Sequence, residues 1–221
     1  MDTVIINDVE IRIIGCLIEK EITTPEYYPL TLNALVNACN QKSNRSPVVS
    51  YDETAAVRGL DRLQEIGFSE KIYKADSRVP KYQQLFSKKM GLSRRELAVM
   101  CELMLRGPQT PGELRGRADR MYQFEGIGEV EEILNELMAR EKPLVIKLPR
   151  QAGRKESRYA HLLSGEPEIR ESESQVPEET ATLRVRAENE RIAKLESDVV
   201  ALRRDFDDLK KQFTDLKNQL E

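Results

Sequence analysis

The sequence contains no tryptophan, one histidine (His161) and three widely separated cysteines, Cys16, Cys39 and Cys101. A zinc site needs clustered Cys or His ligands, and neither a C-x-x-C nor an H-x-x-x-H occurs. Catalysis by a Ser-His-Asp or Cys-His set would have to recruit His161, which sits in SRYAHLL, a strand-like segment. Also missing are G-x-S-x-G, a Walker loop and the dinucleotide fingerprint. Carboxylates abound, but they are spread along helix faces as solvated charges are. The chain is therefore expected not to be an enzyme and to use no cofactor and no metal. Aromatic residues make up only 5% of it, which argues against a stacking platform for single-stranded nucleic acid.

Long hydrophobic runs are absent too. None approaches the ~20 residues of a bilayer span. The start, MDTVIINDVEIR, lacks the basic beginning and apolar stretch of a secretory signal. The cysteines lie in apolar helical patterns and read as reduced core residues, so the expected location is the cytoplasm. A large excess of one charge is also lacking, since the formal net charge is −3 over 221 residues. It is unevenly placed: zero over residues 1–90, +2 over 91–165 and −5 over 166–221. The acidic excess belongs to the tail, and the body has room for a local basic patch.

What is present is one pattern twice. The first copy opens with NDVEIRIIGCLIEKEIT, where Ile11, Ile14, Leu17 and Ile18 keep helical spacing behind a cap at Asn7 or Asp8. The second opens with SRRELAVMCELMLRG, where Ser93 and Glu96 predict a capping box and Leu97, Met100, Cys101 and Met104 a buried stripe. A second helix follows in each. Leu32, Leu35, Val36 and Cys39 mark the first behind Pro29; Thr110, Pro111 and Glu113 begin the other. The third helices are SYDETAAVRGLDRLQEIG and GEVEEILNELMAREK. In the former, Ser50 and Glu53 predict a capping box, Ala56, Leu60 and Leu63 face inward, and Gly67 is the stop. In the latter, Val130, Ile133, Leu134 and Leu137 form the apolar face. Hairpin patterns close both copies, ending in KYQQLF and RYAHLL.

Three helices and a hairpin, in that order, predict a winged helix. The expected class is mainly α with small β-hairpin wings (α+β): a winged-helix domain over 1–90 and a second over 91–163. Residues 164–180, rich in Glu, Ser and Pro, read as an acidic flexible linker. Residues 181–221 read as a coiled-coil helix. Its a positions are Ile192, Val199, Phe206, Phe213 and Leu220, and its d positions Leu195, Leu202, Leu209 and Leu216. In a parallel dimer the flanking pairs Arg191–Glu196, Asp198–Arg203 and Asp205–Lys210 are opposite in sign. Parallel self-association is the favoured expectation, with a trimer, a fold-back onto the body and a different partner as alternatives.

The stretches YYPLTLNALVNACNQKSNRSP (Tyr27 to Pro47) and SRRELAVMCELMLRGPQTPGELR (Ser93 to Arg115) closely resemble the YceH-like proteins, bacterial proteins of unknown function. The resemblance covers roughly residues 8–163. It implies tandem winged helices and a cytosolic setting, and it supplies no substrate, catalytic residue or DNA sequence.

The leading functional expectation is double-stranded DNA binding of a regulator-like kind. Candidate contacts are Lys147, Arg150, Arg154, Lys155 and Arg158 on the second wing. Lys42, Asn44 and Arg45, in NQKSNRSP, precede the third helix of the first copy, which adds Arg58 and Arg62. Arg115, Arg117 and Arg120 form a third basic cluster. Against base reading by the second copy stand Glu129, Glu131, Glu132 and Glu136, which phosphates would repel. The first copy is thus expected to read bases and the second to hold phosphates. The alternative is a protein-interaction adaptor that binds a basic partner through this acidic third helix and does not touch DNA.

Overall fold

The computed structural model describes residues 5–73, 79–150 and 156–166. Helix α1 (Asp8–Thr23) begins at a capping box in which Asn7 and Glu10 satisfy each other's backbone amides. After a 3-10 turn at Pro25–Tyr27 and strand β1 (Leu30–Thr31), helix α2 (Leu32–Cys39) starts from Thr31. Helix α3 (Glu53–Glu65) leads through Gly67, at φ 70°, into strands β2 (Ser69–Ile72) and β3 (Lys81–Gln84). Short helix α4 (Phe86–Met90) stops at Gly91 and carries the chain to α5 (Arg94–Arg106), α6 (Pro111–Ala118) and α7 (Ile127–Met138). Strands β4 (Val145–Lys147) and β5 (Tyr159–His161) complete the described part. The class is α+β.

Both sheets are small and antiparallel. The first has the order β1-β3-β2, with Tyr82 opposite Leu30 on one side and Lys71 on the other. The second pairs Val145 with His161 and Lys147 with Tyr159. The boxes expected at Ser93–Glu96 and Thr110–Glu113 form, with Pro111 in the first turn of α6. The box expected at Ser50–Glu53 does not, because Asp52 caps α3 by accepting from the Ala55 amide at 2.7 Å. The Asn40 side chain exchanges two 2.8 Å hydrogen bonds with the Tyr51 backbone. That clasp carries the non-helical chain as far as Asp52, an equally good cap.

The stripe residues expected on α1 and α5 are all buried, and burial extends well beyond them. Glu10 to Glu19 of α1 and Glu96 to Leu105 of α5 are buried on every side. These two helices pack on each other, while α2 and α3 cover α1, and α6 and α7 cover α5. The halves therefore share one continuous hydrophobic core within the unit Met1–Ile169. Gly15 lets α1 and α5 approach closely: a Cβ there would lie 2.8 Å from Leu105 Cδ2. Nearby, the Cys101 thiol donates to the Gly15 carbonyl at 3.3 Å. Among the described residues no helix is long and apolar enough to cross a membrane.

Candidate functional site

The segment between α2 and α3 carries three of the expected phosphate contacts, and two of them serve the fold. Arg45 is a correction. Its side chain has no exposed surface, and it grips Glu19 with both terminal nitrogens, at 2.5 and 3.1 Å. It also donates to the carbonyls of Ala38 and Asn44 and to the Gln41 side chain. A guanidinium spent on these acceptors inside the core has no donor left for a phosphate. Asn44 is corrected for the same reason: it adopts φ 59°, and its amide oxygen accepts from Arg106. Lys42 alone of the three is exposed.

Glu19 is the centre of a buried ionic cluster that the sequence did not announce. Arg120, from the turn after α6, approaches it at 2.6 Å and reaches Glu102 of α5 at 3.1 Å. Glu102 is in turn paired with Arg106 at 2.9 Å. Burial pushes the Glu19 carboxyl up, but hydrogen bonds and charge from Arg45, with Arg120, hold it below the usual carboxylate range. Arg12, also buried, donates to the Pro47 carbonyl at 2.7 Å. Thus Arg45 and Pro47 of the distinctive NQKSNRSP stretch are structural residues. The Glu102–Arg106 pair is an ordinary i,i+4 spacing, but no spacing rule would have joined Glu19 to Arg45 or Glu102 to Arg120, 26 and 18 positions away.

Surface candidates fall on two elements. On α3, Thr54, Val57, Arg58, Asp61 and Arg62 form one exposed helical face. Arg62 is bridged to Glu65 at 3.1 Å along the same surface. Strand β2 packs against α3. Lys71 is raised above its ordinary value by a hydrogen bond to Tyr73, by Tyr82 and, more weakly, by Asp61 of α3. The Lys71 ammonium sits 5.6 Å from the Tyr73 ring centre, and Tyr73 is 68% exposed. In the second half, Lys147 lies over Tyr159 and, like Arg150, is exposed. Arg158 is turned inward, donating to the Pro108 carbonyl at 2.6 Å and pairing with Glu113 at 3.1 Å. Arg154 and Lys155 lie outside the described residues, as do all the heptad positions from Ile192 to Leu220.

Of the third basic cluster, Arg115 is exposed, Arg117 pairs with Glu113, and Arg120 belongs to the ionic cluster. On α7, Glu131 and Glu132 are exposed, Glu136 bridges Arg95 at 2.9 Å, and Glu129 accepts from the Tyr122 hydroxyl. The three cysteines are free and buried, and burial holds the Cys101 thiol well above its ordinary value. Among the described residues no group of three or more His, Cys, Asp or Glu side chains is placed to hold a metal ion.

Comparison with known proteins adds the following. Residues 6–154 match the profile described as "Protein of unknown function, DUF480". A UPF0502 protein of Geotalea uraniireducens is 58% identical over 195 residues, covering 88% of each chain. Another, from Geobacter sulfurreducens, is 56% identical over 197 residues and 89% of each chain. A third, from Koribacter versatilis, is 58% identical over 161 residues, covering 73% of this chain and 75% of its own.

Proposed function

The chain belongs to the DUF480 family of proteins of unknown function, and from that premise we propose that it is a cytoplasmic tandem winged-helix protein that binds double-stranded DNA. In this reading the first module covers residues 1–90 and the second 91–163. The observation that carries it is the packing of α3, with its exposed face, against strand β2, within electrostatic reach of Lys71. A reading helix needs donors and methyl groups on one face, and α3 offers Arg58, Arg62, Thr54 and Val57. Lys71 and Tyr73 would follow the adjoining phosphates and sugars. The second module adds Lys147 and Arg150, with Arg154 and Lys155 expected to join them from sequence. A C-terminal coiled coil would bring two such chains together.

The test is fluorescence anisotropy of a mixed-sequence duplex through a salt series. Wild type should bind more weakly as salt rises, and a variant with Arg58, Lys71 and Arg150 changed to Ala should bind at least about tenfold more weakly. Absence of binding at low salt would overturn the reading. A second reading is favoured by Glu131 and Glu132, both exposed on α7. There the second module binds a basic protein partner, and reversing both residues to Lys should abolish its capture while leaving the helical content unchanged.

A further inference from the structure

The α2–α3 segment is tied to the second half of the molecule at three points. Arg120 meets Glu19 at 2.6 Å, and Glu19 holds Arg45. The Arg106 guanidinium donates to the Asn44 side chain. The Ser46 amide donates to the Leu105 carbonyl, at the last turn of α5, at 2.9 Å. From there the Asn40–Tyr51 clasp fixes the chain up to Asp52, the cap of α3. The path from α6 to α3 is thus made of charge-assisted and backbone hydrogen bonds rather than apolar contacts, which set direction less sharply.

We propose that Arg120 is a positioning residue: through Glu19 and Arg45 it lets the second half hold the segment that aims α3. Arg120 is placed for such a role, since its side chain is 32% exposed while Glu19 and Glu102 are wholly buried. It is the cluster's outermost member, and it bridges one carboxylate from each half. Its removal leaves Glu19 with Arg45 and Glu102 with Arg106, so both carboxylates stay paired and the core is not forced apart. What is lost is the connection between them. The second half would then hold the segment only through the Arg106–Asn44 and Ser46–Leu105 hydrogen bonds.

The experiment uses the full chain with Arg120→Ala, Arg120→Gln and Arg120→Lys, and Arg115→Ala as an exposed neighbouring control. Amide hydrogen exchange is followed by mass spectrometry, and duplex affinity by anisotropy. Arg120→Ala is expected to exchange at least about tenfold faster over residues 40–56, with α7 unchanged. Its duplex affinity is expected to fall about tenfold, with Arg120→Lys recovering part of both effects and Arg115→Ala matching wild type in exchange. If Arg120→Ala does not fold, Arg120→Gln supplies the same comparison. Exchange identical to wild type, or accelerated equally everywhere, overturns the proposal. The affinity arm rests on the DNA-binding role of α3. If wild type binds no duplex, that role fails, and the exchange pattern still decides the positioning role.

Discussion

Arg45 shows how far a residue's chemistry depends on what the fold places around it. Removing one partner of a buried ion pair typically costs about 3–5 kcal/mol, and without Arg45 the buried Glu19 would keep only the partly exposed Arg120. Arg45→Ala should therefore lower the unfolding free energy by about that much in urea titration. Arg45→Lys should recover little of it, because an ammonium cannot reproduce the fork that grips Glu19 while also meeting Ala38 and Gln41. The pH dependence has a definite sign. Glu19 is held below its ordinary range, and burial lowers His161, opposed only by Asp8. Both groups bind protons more readily in the unfolded chain, so both contribute stability at neutral pH that is lost on acidification. The His161 contribution should fade as pH drops below its unfolded value of ~6.5, and that of Glu19 below ~4.3. A His161→Gln variant melted across pH 5–8 should lack the upper step. In sequence, Arg45 looked like any loop cation. Its role was illegible because the acceptor that fixes it comes from a helix 26 positions earlier.

At the level of elements, local signals were readable and mutual ones were not. The capping boxes at Ser93 and Thr110 arise within four residues and were plain in the sequence. The all-round burial of α1 and α5 was hidden, because Glu10, Arg12, Glu19, Glu96 and Glu102 gave those helices an apparent polar side. Those charges point into the structure, where capping, ionic or, for Arg12, backbone carbonyl partners meet them. Two glycines separate packing from propensity. At Gly15 an added methyl meets the Leu105 side chain at 2.8 and 3.0 Å within the joint of the two halves. Gly15→Ala should destabilise by about 1–2 kcal/mol, the overpacking cost exceeding the gain in helix propensity. At Gly116, inside α6, nothing lies within 4 Å. Gly116→Ala should stabilise by about 0.5–1 kcal/mol. Thermal unfolding of the pair checks both, and equal shifts would show that the joint is looser than its geometry implies.

For the whole molecule, the repeated pattern is the plainest expectation the sequence offers, and the joining of its two parts the least readable. Two copies of one pattern predicted two similar parts; their joining through α1 and α5 follows only from the folded arrangement. A body that presents both halves together makes the heptads after residue 181 matter for binding strength. Each phosphate neutralised contributes about −0.9 to the slope of log affinity against log salt. With Arg158 committed to Pro108 and Glu113, Lys147 and Arg150 remain as exposed cations, and Arg154 and Lys155 are expected from sequence to bring the number to four. That sets a slope near −4 for one chain and about −8 for two chains bound as a unit. Leu202→Pro should break the expected coil, halve the mass seen by light scattering and halve the slope in the same step. If the mass falls while the slope holds at about −4 throughout, only one chain of the pair engages the duplex. The coil would then serve a partner other than DNA, and the acidic face of α7 would be the first place to look for its contact.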